Sequence, residues 1–111
     1  MDNFINPAVD FEKEYIICAA IHFDDGIEHV HQPVNIKTGY VVCGRRHHNC
    51  FMTVKALTGK IEKLDEEKTQ GFLTSKDRFL NRKEAMIVAI ACNQVKAEGN
   101  KNNVLFSEDL Y

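Results

Sequence analysis

The sequence lacks a hydrophobic run long enough to cross a bilayer, and residues 1–14 mix Asp, Asn, Pro and Glu, unlike a signal peptide. It also lacks a large excess of either charge: the formal net charge is −2, which argues against partners such as duplex nucleic acid or an anionic membrane. A chain of 111 residues with 44% hydrophobic side chains can bury one modest core. We therefore expect a single soluble, cytoplasmic domain.

The cysteines lack the short, paired spacing of a disulfide or zinc framework. They are Cys18, Cys43, Cys50 and Cys92, each within an apolar segment. We predict reduced, mostly buried thiols. A metal site built from two of these thiols with His47 and His48 is an alternative, but adjacent histidines point in different directions. We expect no metal and no cofactor.

Templates for catalysis are missing too. The sequence has no nucleophile elbow, no Walker loop and no His-Glu pair at metalloprotease spacing. Binding without turnover is therefore favoured over an enzyme. The enzymatic alternative is a nucleotide phosphodiesterase or related enzyme that uses His47 or His48 as acid or base.

The first half of the chain has the pattern of β-strands. Residues 15–23 are rich in β-branched and aromatic side chains, and residues 24–26 have the Asp and Gly of a tight turn. Residues 27–31 alternate apolar and polar side chains until Pro33, which predicts a hairpin. Residues 39–43 predict a further short strand.

Two helices are predicted. From Asn49 apolar side chains recur at helical spacing as far as Gly59, a typical C-cap residue. After an extended segment at residues 70–75, Asn81 and Glu84 form a capping-box pattern before a second helix. Since residues 85–92 are apolar all round, we expect one face of this helix on the sheet and the other on a second copy.

These elements predict an α+β fold: an antiparallel sheet of about four to five strands with two helices packed on one face. Residues 104–111, apolar and acidic, are expected to add the last edge strand. The domain spans residues 14–111 and follows an N-terminal arm of residues 1–13.

A basic turn between the strand at residues 39–43 and the first helix is the first candidate site. It contains Arg45, Arg46, His47 and His48. Helix-start N–H groups attract anions, and an arginine fork matches phosphate oxygens, so the turn predicts a diphosphate-binding site. The alternative is a solvated basic turn.

A second candidate site combines aromatic rings, hydroxyls and arginines, which suit a nucleobase, a ribose and a phosphate. Its residues are Phe72, Thr74, Ser75, Arg78, Phe79 and Arg82. The alternative places Phe72 and Phe79 in the core, and we expect this for at least one of them. Arg82 falls in the first turn of a helix, where a cation is unfavourable unless an anion lies nearby.

Several motifs together resemble a family of small bacteriophage proteins, the first type of Thoeris anti-defence protein. They lie at residues 15–23, 44–48, 70–75, 78–85 and 105–111. The resemblance implies a sponge that sequesters cyclic ADP-ribose isomers made by bacterial TIR-domain enzymes, without cleaving them, in the cytoplasm of the infected host. Some relatives also hold cyclic oligonucleotides. Family members are oligomers of dimers with pockets at subunit interfaces.

The resemblance also implies a set of ligand-binding residues. They are Arg45, Arg46, His47, His48, Phe72, Thr74, Arg78, Phe79 and Arg82, with Asp109 as a ribose acceptor. A second alternative to the sponge remains open besides the phosphodiesterase. In it the chain is a module that grips a host protein through the arm and the apolar second helix.

Overall fold

The structure is a computed structural model, and it describes residues 13–59, 69–95 and 104–110. Its elements are β1 (Ile16–Phe23), β2 (Tyr40–Gly44), α1 (His47–Thr58), β3 (Gln70–Thr74), β4 (Phe79–Asn81), α2 (Arg82–Ala91) and a 3₁₀ turn (Ser107–Asp109). Of the predicted arm, residues 1–12 lie outside the described residues.

The strands form one four-stranded sheet in the order β2-β1-β3-β4, and each neighbouring pair is antiparallel. β1 is therefore a central strand, with β2 on one side and β3 on the other. A bulge at Ile17 interrupts its pairing with β3. The predicted α+β class and antiparallel sheet are confirmed.

Both helices pack on one face of the sheet. Ala19 pairs with Phe72 and Ile21 pairs with Val42, so all four side chains share that face. The helices place their buried side chains against it, namely Cys50, Val54, Ala85, Met86 and Ala89. Burial of these apolar groups is the main stabilising contribution to the domain.

The connection between β1 and β2, residues 24–39, crosses the molecule to the far edge of the sheet. We call it the crossing loop. The Asn35 side chain accepts a hydrogen bond from the Phe79 N–H (2.8 Å) and donates one to the Phe79 carbonyl (2.6 Å). The Val34 N–H donates to the Asp77 carbonyl. The crossing loop thus satisfies backbone groups of β4, the edge strand.

The predicted hairpin strand at residues 27–31 is wrong. These residues form no strand and are exposed; Ile27 and Val30 bury no face. Carboxylates of Asp24 and Asp25 accept from the N–H groups of Gly26 and Ile27, which turns the chain away from β1. The partner of β1 is β2 instead.

The helix ends follow their predicted signals. Gly59 adopts φ 75°, and its N–H donates to the Lys55 carbonyl, as a left-handed C-cap does. Asn81 accepts from the Glu84 N–H, and Glu84 accepts from the Asn81 N–H. The predicted capping box is therefore confirmed, and α2 begins directly after it.

The C-terminal prediction is wrong, because residues 104–106 form no strand and a 3₁₀ turn follows. The Leu105 N–H donates to the Arg82 carbonyl at the start of α2, so this backbone bonds to a helix end and not to a sheet edge. β4 occupies the edge position and was not predicted.

The cysteines depart from the prediction in part. All four are free thiols, but only Cys50 is buried, while Cys43 is exposed and Cys18 and Cys92 are half-buried. Side chains alternate across a strand, so Cys43 lies on the sheet face opposite the helices. Cys18 lies on the same face, because it precedes Ala20, the partner of Cys43, by two residues in β1.

Candidate functional site

The basic turn joins the end of β2 to the start of α1. Arg46 is the N-cap residue of α1, and its N–H donates to Asn49 Oδ1 at 3.1 Å. The first turn of α1 contains no acidic residue, and Arg45 and His48 are exposed. Two cationic or titratable side chains thus flank the positive end of the helix dipole, where an anion is stabilised.

His47, the third residue of the turn, points into the protein. It is 8% exposed, and its Nε2 lies 2.8 Å from the Gly71 carbonyl oxygen. Since a carbonyl only accepts, Nε2 carries the proton and donates. The ring also meets Phe72 edge-on, with the centroids 5.1 Å apart. His47 therefore anchors α1 to β3.

The two aromatic residues predicted to stack a base lie in the interior. Phe72 is fully buried beneath the helices, and Phe79 is buried on the opposite face beside the His22 ring. The Phe79 ring also lies over Gly71, where an added Cβ would come within 2.8 Å of it. The alternative interpretation, core packing, holds for both.

Thr74 and Arg78 meet a carboxylate that the sequence did not single out. Arg78 donates from Nε and Nη2 to the two oxygens of Glu14, at 2.8 and 2.6 Å. The buried Thr74 hydroxyl donates to the same carboxylate at 2.5 Å. The Arg78 hydrogen bonds are the main cause that lowers the pKa of Glu14, against burial, which raises it.

Arg82 holds the C-terminal segment against the sheet. Its two terminal nitrogens donate to the Leu105 carbonyl (2.8 Å) and to Gln70 Oε1 (2.7 Å). Its guanidinium also stacks on the Phe106 ring, 4.7 Å from the centroid. The partners that a cation needs at this helix start are therefore supplied by the chain itself.

Glu108, in the 3₁₀ turn, links the two candidate sites. Its own backbone N–H is the largest cause that lowers its pKa, and the charges of Arg46 and Arg82 lower it further. Both positive charges therefore act on this exposed carboxylate. We call Arg46, Arg82, Phe106 and Glu108 the arginine surface; the basic turn continues it to Arg45 and His48.

Asp109 shapes the same segment. Its Oδ2 accepts from the Phe106 N–H at 3.0 Å, which closes the 3₁₀ turn, and the residue is exposed. Phe106 and Glu108 lie in the C-terminal motif at residues 105–111, but the sequence alone did not indicate that they interact with the arginines. No local signal pointed to Glu14.

The structure thus divides the predicted site residues into two groups. The basic turn and Arg82 approach each other near the Gln70 end of β3, whereas Thr74 and Arg78 lie at its other end. Gln70 and Thr74 are four positions apart along an extended strand, which corresponds to roughly 13 Å. The arginine surface is the stronger candidate for an anion, because Glu14 fills the Arg78 fork, whereas the start of α1 has no acidic residue in its first turn and has exposed Arg45 and His48 beside it.

The described residues contain neither a metal-ion cluster nor a membrane-spanning helix. Within residues 13–59, 69–95 and 104–110, no three His, Cys, Asp or Glu side chains are grouped to hold a metal ion. In the same part of the chain, no helix is long and apolar enough to cross a membrane.

Comparison with known proteins gives one match. No curated protein and no solved structure is significantly similar to the chain. A family model described as phage T4 y16D protein matches residues 15–111, which include every described strand and helix. On this match, the chain belongs to the phage T4 y16D protein family.

Proposed function

We propose that this phage protein binds and sequesters a cyclic ADP-ribose-type nucleotide at the arginine surface, without degrading it. The observation that carries the proposal is the helix start at Arg46, which is free of acidic residues and flanked by exposed Arg45 and His48. In the infected bacterium, such a sponge blocks TIR-based immunity by lowering the free messenger in the cytoplasm.

The chemistry of the surface suits the parts of this ligand. A pyrophosphate is a stronger acceptor for two guanidinium groups than one carboxylate, and the α1 dipole adds to their attraction. Phe106 is 37% exposed and carries the Arg82 guanidinium on its ring, so the pair offers a plane for a purine. Exposed Asp109 is a hydrogen-bond acceptor for a ribose hydroxyl.

Membership of a phage family supports the setting of this proposal, and the resemblance of the motifs to Thoeris anti-defence proteins supports its ligand. Binding without turnover is favoured because His47 is buried and its Nε2 donates to the Gly71 carbonyl, so the side chain serves a structural contact. His48 is the exposed histidine left for the phosphodiesterase alternative.

We further propose a homodimer, or a multiple of it, that closes the arginine surface with a second copy. The outer faces of the helices support this proposal. Ile87 on α2 is 71% exposed, and Leu57 and Met52 on α1 are also largely exposed. Large apolar side chains exposed on helices are typical of an interface between identical subunits.

Calorimetric titration with a panel of cyclic ADP-ribose isomers and cyclic oligonucleotides tests the binding proposal. We expect nanomolar affinity for one isomer, about −12 kcal/mol. Replacing Arg46 by Ala removes one guanidinium and is expected to weaken binding by roughly 10- to 100-fold. Lys76→Ala, an exposed cation in the β3–β4 turn, is the matched control and should bind as wild type.

The outcomes separate the alternatives. Wild-type affinity in a folded Arg46→Ala variant would show that the arginine surface is not the site. Heating the complex should release the ligand intact; altered ligand would reject sequestration in favour of the phosphodiesterase. If no nucleotide of the panel raises the melting temperature, the nucleotide proposal fails and a host-protein partner becomes the better hypothesis.

A further inference from the structure

Two thiols meet on the sheet face opposite the helices, away from the arginine surface. Ala20 pairs with Cys43 across β1 and β2, so Cys18, two residues earlier in β1, lies diagonally opposite Cys43 on the same face. Diagonal cross-strand positions on one face are within reach of each other's side chains. Cys43 is exposed and Cys18 is half-buried, so small molecules can reach the pair.

The two sulfurs have different environments. Cys18 accepts hydrogen bonds from the Cys43 thiol and from the Gly44 N–H, and these lower its pKa to about 7 against the effect of burial. The same contact raises the pKa of Cys43, because its proton is held between the two sulfurs. The lower pKa of Cys18 favours it as the attacking thiol, with Cys43 as the thiol that follows.

The backbone around Cys18 permits a bond between these sulfurs. Diagonal cross-strand positions lie about 7–8 Å apart at Cα, whereas disulfides span roughly 4.4–6.8 Å, so closure needs an approach on the order of 1 Å. The β1–β2 ladder ends at the Ala19 and Gly44 pair, and β1 bulges at Ile17. Cys18 therefore lies just beyond the paired part of β1 with β2, where such a shift is cheapest.

We propose that Cys18 and Cys43 are a thiol–disulfide exchange site that reacts with low-molecular-weight disulfides such as oxidised glutathione. The Cys18 thiolate attacks one sulfur of the small disulfide, which forms a mixed disulfide and releases one thiolate. Cys43 gives its proton to solvent and attacks the Cys18 sulfur, which releases the second thiolate. Two protein thiols are oxidised, and one small disulfide is reduced to two thiols.

The resulting bond ties β1 to β2 immediately before the basic turn. It closes a loop that contains the whole crossing loop, so it restricts the unfolded chain and raises the melting temperature, by roughly 10 °C on the scale of such loops. Cys50 and Cys92 take no part, since Cys50 is buried on the helix side and the Cys92 thiol donates to Gln94 Oε1.

The experiment incubates the purified full-length protein with oxidised glutathione at neutral pH and maps the products by mass spectrometry. We expect a chain lighter by two hydrogens, a peptide linking Cys18 to Cys43, and a raised melting temperature that a reducing agent reverses. Cys43→Ser should instead accumulate one glutathione on Cys18. Cys92→Ser is the matched control and should form the same bond as the wild type.

Other results overturn the proposal. If both thiols in the wild-type protein remain open to alkylation after incubation, no exchange site exists. If glutathione stays on Cys18 in the wild type, Cys43 does not resolve it. A linkage through Cys50 or Cys92 would also reject the assignment. Because the first readout needs no variant, a failure of Cys43→Ser to fold leaves the test intact.

Discussion

His47, Arg78 and Arg82 each join segments that lie far apart in the chain. His47 reaches the Gly71 carbonyl, Arg78 reaches Glu14, and Arg82 reaches Leu105. Hydrogen bonds to charged groups are worth more than neutral ones, and a buried partner left unsatisfied is costly. These polar contacts therefore fix how the N-terminal and C-terminal segments dock on the sheet.

Replacing Glu14 by Gln is expected to lower the free energy of unfolding by about 1–2 kcal/mol at neutral pH, because Arg78 loses its carboxylate fork and is itself partly exposed. The pKa of Glu14 is lowered in the folded state, so its contribution is present above the unfolded pKa and is lost as pH falls through the folded pKa. The wild type should therefore lose stability below about pH 4.5 more steeply than Glu14→Gln.

Urea unfolding at a series of pH values measures this difference. Glu28→Gln, at an exposed position of the crossing loop, is the matched control and should follow the wild type. Parallel pH curves for the wild type and Glu14→Gln would contradict the assignment of this acid-sensitive contact.

Gly71 is expected to tolerate no side chain. A Cβ there would lie 2.0 Å from the Leu80 carbonyl oxygen and 2.8 Å from the Phe79 ring, so β4 would have to move away from β3. We expect Gly71→Ala to cost about 3 kcal/mol or more, as overpacking of a rigid site does. Thermal unfolding followed by circular dichroism measures this loss of stability.

Gly26→Ala is the control for Gly71→Ala. Gly26 has open space around it, and only its φ of +76° penalises a side chain. That strain is on the order of 1 kcal/mol. A loss at Gly71 no larger than that at Gly26 would mean that β4 accommodates the added methyl group, which would contradict the prediction.

At the scale of elements, signals confined to a few residues were predictive. The helix ends were predicted correctly from Asn81 with Glu84 and from Gly59, because caps act within one turn of the chain. The alternation at residues 27–31 predicted a strand wrongly, because a strand also needs a partner strand and none pairs with this segment. β4, only three residues long, has too few positions for any period.

The crossing loop is expected to stabilise β4 through Asn35. Replacing Asn35 by Ala removes the acceptor for the Phe79 N–H and the donor to its carbonyl, and the expected loss is about 1–2 kcal/mol. Hydrogen exchange of the Phe79 amide should accelerate more than that of the central strand β1.

Asn35→Asp is the matched variant for this test. It keeps the acceptor for the Phe79 N–H and loses only the donor, so protection of that amide should lie between the values for wild type and Asn35→Ala. Unchanged exchange of Phe79 in Asn35→Ala would mean that other residues protect the β4 edge.

At the scale of the whole molecule, the fold class was predictable because binary patterning decides it, whereas the candidate site was not. The cations at Arg46 and Arg82 were visible in the sequence. Their common neighbour Glu108 and the stacking of Phe106 depend on how the C-terminal segment docks. Such contacts join residues more than twenty positions apart, which no local pattern encodes.

The proposed oligomer gives a prediction at this scale. Replacing Ile87 by Lys places a charge at the exposed apolar side chain of α2 and should convert the oligomer to a monomer. Size-exclusion chromatography with light scattering measures the mass, and circular dichroism checks that the variant is folded. A matched change from an exposed apolar side chain to lysine in the crossing loop, Val30→Lys, is the control. A monomeric wild type at micromolar concentration would reject the proposal.

The order of the strands in the sheet also determines how long β1 lacks a partner strand during synthesis of the chain. β1 is made first among the described strands but lies in the middle of the sheet, and its partner β3 begins only at Gln70. At about 5–20 residues per second, a ribosome takes roughly 2–10 s to reach β3 after it completes β1. β3 leaves the ribosome later than β1 by the same interval, during which one side of β1 offers unpaired N–H and C=O groups to any neighbouring nascent chain. Clustered polysomes are therefore the setting in which this protein is most exposed to misassembly.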